Sequence, residues 1–228
     1  MGDVIDYLST NPSDVLFFAQ THFLLVLYSV AIATVLSLVL ALVLHTNQLT
    51  PPSWSRSIRI GSQETTLLVA SALLTVPSLA LFGLLQPIFG YGIVPAIIGL
   101  TLYGIYPVLR NTVAGLSSVD PAVLEAARGI GMGSGRRMAR IQLPLAWPVV
   151  LSGIRVSVLI MVSIAAVAAI VSGIGFGKPL LDGLTRLGGT GALPQVIVGT
   201  FGPLLIAAVF EIAFVIVKRL TTPRGIRV

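Results

Sequence analysis

The sequence predicts an all-α membrane protein with five transmembrane helices, its N-terminus outside and its C-terminus inside. Three observations carry this. Of the 228 residues, 55% are hydrophobic and 10% charged; ordinary globular chains are about 25% charged, so this chain lacks the polar groups to solvate a folded surface. Five stretches reach the length of about 20 residues that a spanning helix needs. The basic residues divide very unequally between the two sets of loops, and that division orients a membrane protein.

The spans are Phe23 to Leu44, which carries no charge, then about Thr65 to Leu85, Gly92 to Leu109, Val149 to Val171 and Val196 to Val217. They divide the chain into an extracellular lead-in or interfacial helix (1–22), a single transmembrane domain (23–217) with a cytoplasmic loop at 111–147, and a cytoplasmic tail (218–228). Twelve Lys or Arg fall on one side: Arg56, Arg59, Arg110, Arg128, Arg136, Arg137, Arg140, Arg155, Lys218, Arg219, Arg224 and Arg227. Only Lys178 and Arg186 fall on the other. The basic side is the cytoplasmic one. Trp54 and Trp147 then sit at cytoplasmic span ends, where an amphipathic ring prefers the interface. The uncharged segment Gln86 to Tyr91 reads as a short outer turn.

Before the first span, Met1-Gly2-Asp3 lacks the basic start of a secretory signal, so no cleavage is expected. Asn11-Pro12 reads as a cap and first-turn proline of a short helix on the outer interface. His22 and His45, at the two edges of the first span, read as solvated.

The length leaves no room for a fused ATPase or ligand-binding domain, and zero cysteines exclude disulfides, thiolate catalysis and zinc–cysteine sites. No phosphate-cradling loop is present: around Gly177-Lys178 the motif fails at Ser172 and Pro179, and Gly129, Gly131 and Gly133 lack the closing glycine of a dinucleotide fingerprint. No H-E-x-x-H and no G-x-S-x-G occurs. Aromatic residues, at 7%, are too sparse for a tight cage around a quaternary ammonium group. Nothing in the chain points to catalysis or to a metal.

The loop from Asn111 to Trp147 has its own local chemistry. Asp120 before Pro121 is an N-cap followed by a first-turn proline, with Glu125 adding negative charge near that helix start. Val123, Ala126, Ala127 and Ile130 recur at helical spacing as a small apolar stripe. Gly129, Gly131 and Gly133 stop it. A second helix starts at Ser134, and Leu143-Pro144 and Trp147-Pro148 are expected to break it before the fourth span. A small smooth helix in the cytoplasm has no lipid to bury in, so it packs either under its own bundle or against another protein.

Glu125-Ala126-Ala127, three residues, Gly131, nine residues, then Ile141-Gln142-Leu143-Pro144 resembles the EAA motif of ABC-importer permeases at every defining position. Thr75 to Gly83, Val94 to Ile98, Tyr106 to Thr112, Gly153-Ile154-Arg155 and Gly173 to Gly177 resemble the osmoprotectant branch, which imports glycine betaine, carnitine, choline or proline betaine. Related amino-acid and methionine permeases share parts of these segments. The resemblance implies a type I importer permease of the bacterial or archaeal cell membrane, with no cofactor of its own. Its implied partners are an ABC ATPase that binds ATP and Mg, an extracytoplasmic solute-binding protein and a second permease subunit, identical or homologous; no nucleic acid is involved. Glu125, Ala126, Ala127, Gly131, Ile141, Leu143 and Pro144 are the implied ATPase-coupling residues. The competing classes are an amino-acid or methionine-type permease, a self-sufficient transporter and a membrane scaffold. Five spans do not halve into inverted repeats, which disfavours the second.

For the pathway, the candidates are Pro77, as a kink, and the two intramembrane charges Arg155 and Glu211. Arg155 lies about 12 Å up its helix from Trp147 and Glu211 about 10 Å from Lys218, at about 1.5 Å per residue. Matching depths predict that they pair, facing the protein interior. Lys178, Asp182 and Arg186 are an outer-loop set, either touching a docked binding protein or solvated.

Overall fold

The computed structural model describes residues 2–46 and 55–222; Trp54, Arg224 and Arg227 lie outside them. No strand occurs among the described residues. Helices α1 (Gly2–Thr10) and α2 (Pro12–Thr46) are followed by α3 (Ser55–Thr75), α4 (Ser78–Phe89) and α5 (Ile93–Ser117). Then come α6 (Pro121–Gly129), α7 (Ser134–Arg137), a π-turn at Met138–Gln142, α8 (Leu143–Ser172), α9 (Gly177–Thr185) and α10 (Ala192–Thr221). Four helices are long and apolar enough to cross a membrane, and the bent pair α3–α4 makes a fifth if its halves form one span.

The bundle is built around the crossing of α5 and α8, and small residues set how close they come. A Cβ on Gly104 would meet Ser157 and Met161, one on Gly153 would meet Asn111 and the Pro107 carbonyl, and one on Gly115 would meet Ala146. Without a hydrophobic drive between helices in lipid, such close backbone approach supplies the packing energy. Ser157 Oγ donates to the Gly104 carbonyl at 3.1 Å and Ser37 Oγ of α2 to the Ile105 carbonyl at 3.0 Å. The largest buried cluster gathers Leu25, Val26, Phe82, Leu100, Met161, Phe176 and Phe210 from α2, α4, α5, α8, the α8–α9 turn and α10. The outward faces of α2 and α10 carry exposed Leu, Val and Ile, as lipid-facing helices do.

The kink read at Pro77 is a sharp break, and three other expectations change. α3 and α4 meet at 96°, because Pro77 has no N–H to continue the ladder and Val76 before it leaves the helix. The helix also runs through Gln86 and Pro87, so the outer turn is the pair of positive-φ glycines Gly90 and Gly92. Pro12 does not open a separate short helix but the first turn of the 35-residue α2, and the short helix is α1 upstream. At about 52 Å, α2 exceeds the about 30 Å hydrocarbon layer. Finally, Pro144 and Pro148 do not stop the fourth span: Ser134–Ser172 is one continuous 39-residue helix. The π-turn widens the backbone just before Pro144, with Leu143 N–H reaching back five residues to Met138, which removes the clash a proline ring makes in a tight helix.

Candidate functional site

The coupling segment starts where α5 ends. Asp120 caps α6, its carboxylate accepting from Ala122 N–H at 2.8 Å, with Pro121 in the first turn. At the other end Met132 N–H bonds the Ala127 carbonyl and Gly131 N–H the Arg128 carbonyl, both at 3.0 Å. This is the paired closure of a Schellman cap, and it needs its residue after the helix in the left-handed region. Gly131 sits there, with φ +80°. No atom comes within 4 Å of a Cβ placed on it, so within this chain its constraint is conformational and not steric.

Of the predicted apolar stripe only Ala127 turns inward, at 4% exposure; Val123 and Ala126 are exposed and Ile130 is 80% exposed. Glu125 is exposed and has no partner among the described residues. Among the described residues, the chain buries only Ala127 of α6.

Beyond α7 the segment is anchored. Met138, Ala146 and Val150 are buried with Leu116 of α5, and Leu38 and Leu42 of α2 pack on them. Ile141 and Leu143 are half-buried and Pro144 exposed. Gln142, which the motif reading passed over, is buried and lies 3.1 Å from His45 Nε2. Trp147 Nε1 donates to Thr221 Oγ1 at 2.9 Å, tying α8 to the end of α10.

Arg155 and Glu211 do pair, through Nε to Oε1 at 2.9 Å and a second contact at 2.5 Å. They do not face the interior: the side chains are 57% and 28% exposed. The reason is helical phase. Gly153 and Ser157 meet α5, and position 155 lies about 200° around the helix from either. Pro77 lies at the α3–α4 break, 78 residues before Arg155 in sequence, and it is Tyr103 Oη that donates to the carbonyl freed there, Val76, at 2.6 Å. Lys178 pairs with Asp182 along α9, leaving Arg186 exposed.

A family model described as binding-protein-dependent transport system inner membrane component matches residues 63–224. The chain belongs to that family. It is thus a multi-pass inner-membrane component of a binding-protein-dependent transport system, a transport subunit with the permease fold. The chain is similar to the osmoprotectant import permease protein OsmW of Salmonella typhimurium, 31% identical over 99% of this chain and 100% of that protein. The glycine betaine/carnitine/choline transport system permease protein OpuCB of Bacillus subtilis is 30% identical over 100% of this chain and 97% of its own. Among solved structures, an inward-facing MetNI methionine ABC transporter matches with a TM-score of 0.76 at 16% identity, over 93% of this chain and 99% of that one. That likeness establishes the shared importer-permease fold. Among the described residues no group of three or more His, Asp or Glu stands close enough to hold a metal ion.

The histidines correct the sequence reading most. His22 is fully buried, its Nε2 3.1 Å from the Val162 carbonyl while Nδ1 accepts from Phe176 N–H at 3.3 Å. Beside it Thr21 Oγ1 accepts from Gly175 N–H at 3.1 Å. α2 therefore holds the Gly173–Gly177 turn. The sequence signal was present in the long apolar run beginning one residue later, which left His22 no guarantee of being at an edge; His45, half-buried against Gln142, follows the same pattern.

Proposed function

We propose that this permease imports quaternary-ammonium osmoprotectants, such as glycine betaine, choline or carnitine, and that α6 is the helix through which a separate ABC ATPase drives it. The observation that carries the coupling role is the uncovered face of α6: a helix capped at both ends, with Ile130 80% exposed and Glu125 unpaired among the described residues. A helix so firmly specified and so little buried by its own chain is built for a partner. Glu125, Ala126, Ala127 and Gly131 meet the ATPase in this reading, and Ile141, Leu143 and Pro144 carry its movement into α8. ATP and Mg belong to that ATPase, and this chain contributes no catalytic group.

The substrate class is supported by full-length likeness to permeases whose names specify osmoprotectants, choline or carnitine. A solute-binding protein outside delivers the solute, and a second permease subunit completes the pathway. The N-terminus and residues 1–22 lie outside, residues 23–217 form the membrane domain with its loop at 111–147, and 218–228 lie in the cytoplasm. Pro77 and the Arg155–Glu211 pair border the pathway: an ion pair this exposed is costly against lipid and tolerable against water.

The test is uptake in proteoliposomes containing the permease, its ATPase and its binding protein. ATP-dependent accumulation of labelled glycine betaine, choline or carnitine, with none of labelled methionine, is the expected result. Methionine uptake without osmoprotectant uptake contradicts the substrate class.

A further inference from the structure

The family motif does not account for Gln142. It lies inside the motif's closing stretch, yet it is 2% exposed and so cannot meet a cytoplasmic partner. Its amide lies 3.1 Å from His45 Nε2, in the last turn of α2. A buried amide without a partner is costly, so this bond constrains both residues it joins.

Its position gives the bond a mechanical meaning. α7, the π-turn and α8 form one continuous helix from Ser134 to Ser172. A displacement of α6 carried toward α8 therefore passes through the π-turn at Met138–Gln142. π-turns are local weak points in an otherwise stiff helix and recur at functional sites. At this one the apolar contacts to α2, through Leu38 and Leu42, are only partly buried. Such contacts can slide; a hydrogen bond of a buried amide holds one register.

We infer that Gln142 and His45 are positioning residues for coupling: their hydrogen bond makes the cytoplasmic end of α2 follow the segment that α6 moves. This rests on α6 being the helix that the ATPase drives.

The readout is solute imported per ATP hydrolysed, in proteoliposomes with the full chain, its ATPase and its binding protein. A merely structural role would lower protein yield or both rates together, not their ratio. His45→Leu is expected to lower the ratio about tenfold, within the usual range for coupling between sites, while hydrolysis continues. His45→Gln, which returns an amide partner, is expected to restore it to within about twofold, and Gln142→Leu with His45→Leu to be no worse than His45→Leu alone. A wild-type ratio in His45→Leu, a Gln variant no better than the Leu variant, or losses that multiply in the double variant would each overturn the inference. If Gln142→Leu fails to assemble, the two His45 variants decide. Wild-type uptake independent of ATP would overturn the underlying reading, and this inference with it, and is told apart because the unmutated protein shows it.

Discussion

Arg155 of α8 and Glu211 of α10 form a two-point ion pair, 2.9 Å and 2.5 Å, on a surface of the chain that its own helices leave open. α10 buries no residue beyond Phe210. Beyond it Phe214 is only partly buried against the core, and the pair and the Trp147–Thr221 bond add polar contacts that hold this half of α10 to α8. Charge removal on one side leaves the other within the span without its counter-ion. Arg155→Ala and Glu211→Ala are each expected to lower uptake by about tenfold, the factor that about 1.4 kcal/mol represents. Exchanging the two charges is expected to recover most of it; an exchanged variant as poor as the single ones would show that the pairing is not what matters.

Gly131 is expected to discriminate between side chains by backbone conformation. Leucine in the left-handed region costs about 1–2 kcal/mol, whereas asparagine visits it readily. At equal membrane abundance Gly131→Leu should abolish uptake with the ATPase still active, and Gly131→Asn should retain most of it. Equal loss in both variants would place the constraint in close approach by a partner instead.

Tyr103 and Val76 support the break at Pro77. Tyr103→Phe removes the donor and leaves the Val76 carbonyl unsatisfied, at about 1–3 kcal/mol. Purified protein should unfold at a lower temperature, and cysteines placed on α3 and α4 should cross-link less uniformly. Unchanged thermal unfolding would mean the bend holds itself.

Much of this was legible locally. Asp120, Pro121 and Gly131 specify α6 with short-range rules that no tertiary contact overrides, and the depths of Arg155 and Glu211 follow from counting residues along two helices. What counting does not supply is rotation: the face that Arg155 takes is decided by Gly153 and Ser157 against α5. Nor do proline rules distinguish Pro77 from Pro144. Both lack a donor, but a π-turn relieves one and a tyrosine hydroxyl caps the break at the other. His22 was misread for a related reason, since its partners Val162 and Phe176 lie 140 and 154 residues away.

His22 gives a further prediction. His22→Leu leaves the Phe176 N–H without its partner, at about 1–3 kcal/mol for a buried group, and removes the second bond to the Val162 carbonyl, which keeps its partner within α8. The loss should appear as lower thermal stability and faster proteolysis in the Gly173–Gly177 turn. His22→Asn, which keeps an acceptor near Nδ1, should lose less; an Asn variant as unstable as Leu would assign the role to ring packing on Phe176, 5.9 Å away.

The proposed contact between α6 and the ATPase can be measured directly, because the sequence has no native cysteine. A single cysteine at Ala126, on the exposed side of α6, is placed in the assembled complex and treated with a short cross-linker that reaches a cysteine in the ATPase groove. A product of the combined mass is expected at Ala126 and not at a control cysteine at Ser9, with loss of ATP-driven uptake once it forms. No product at Ala126 in a complex that still imports solute with ATP would contradict the proposed contact.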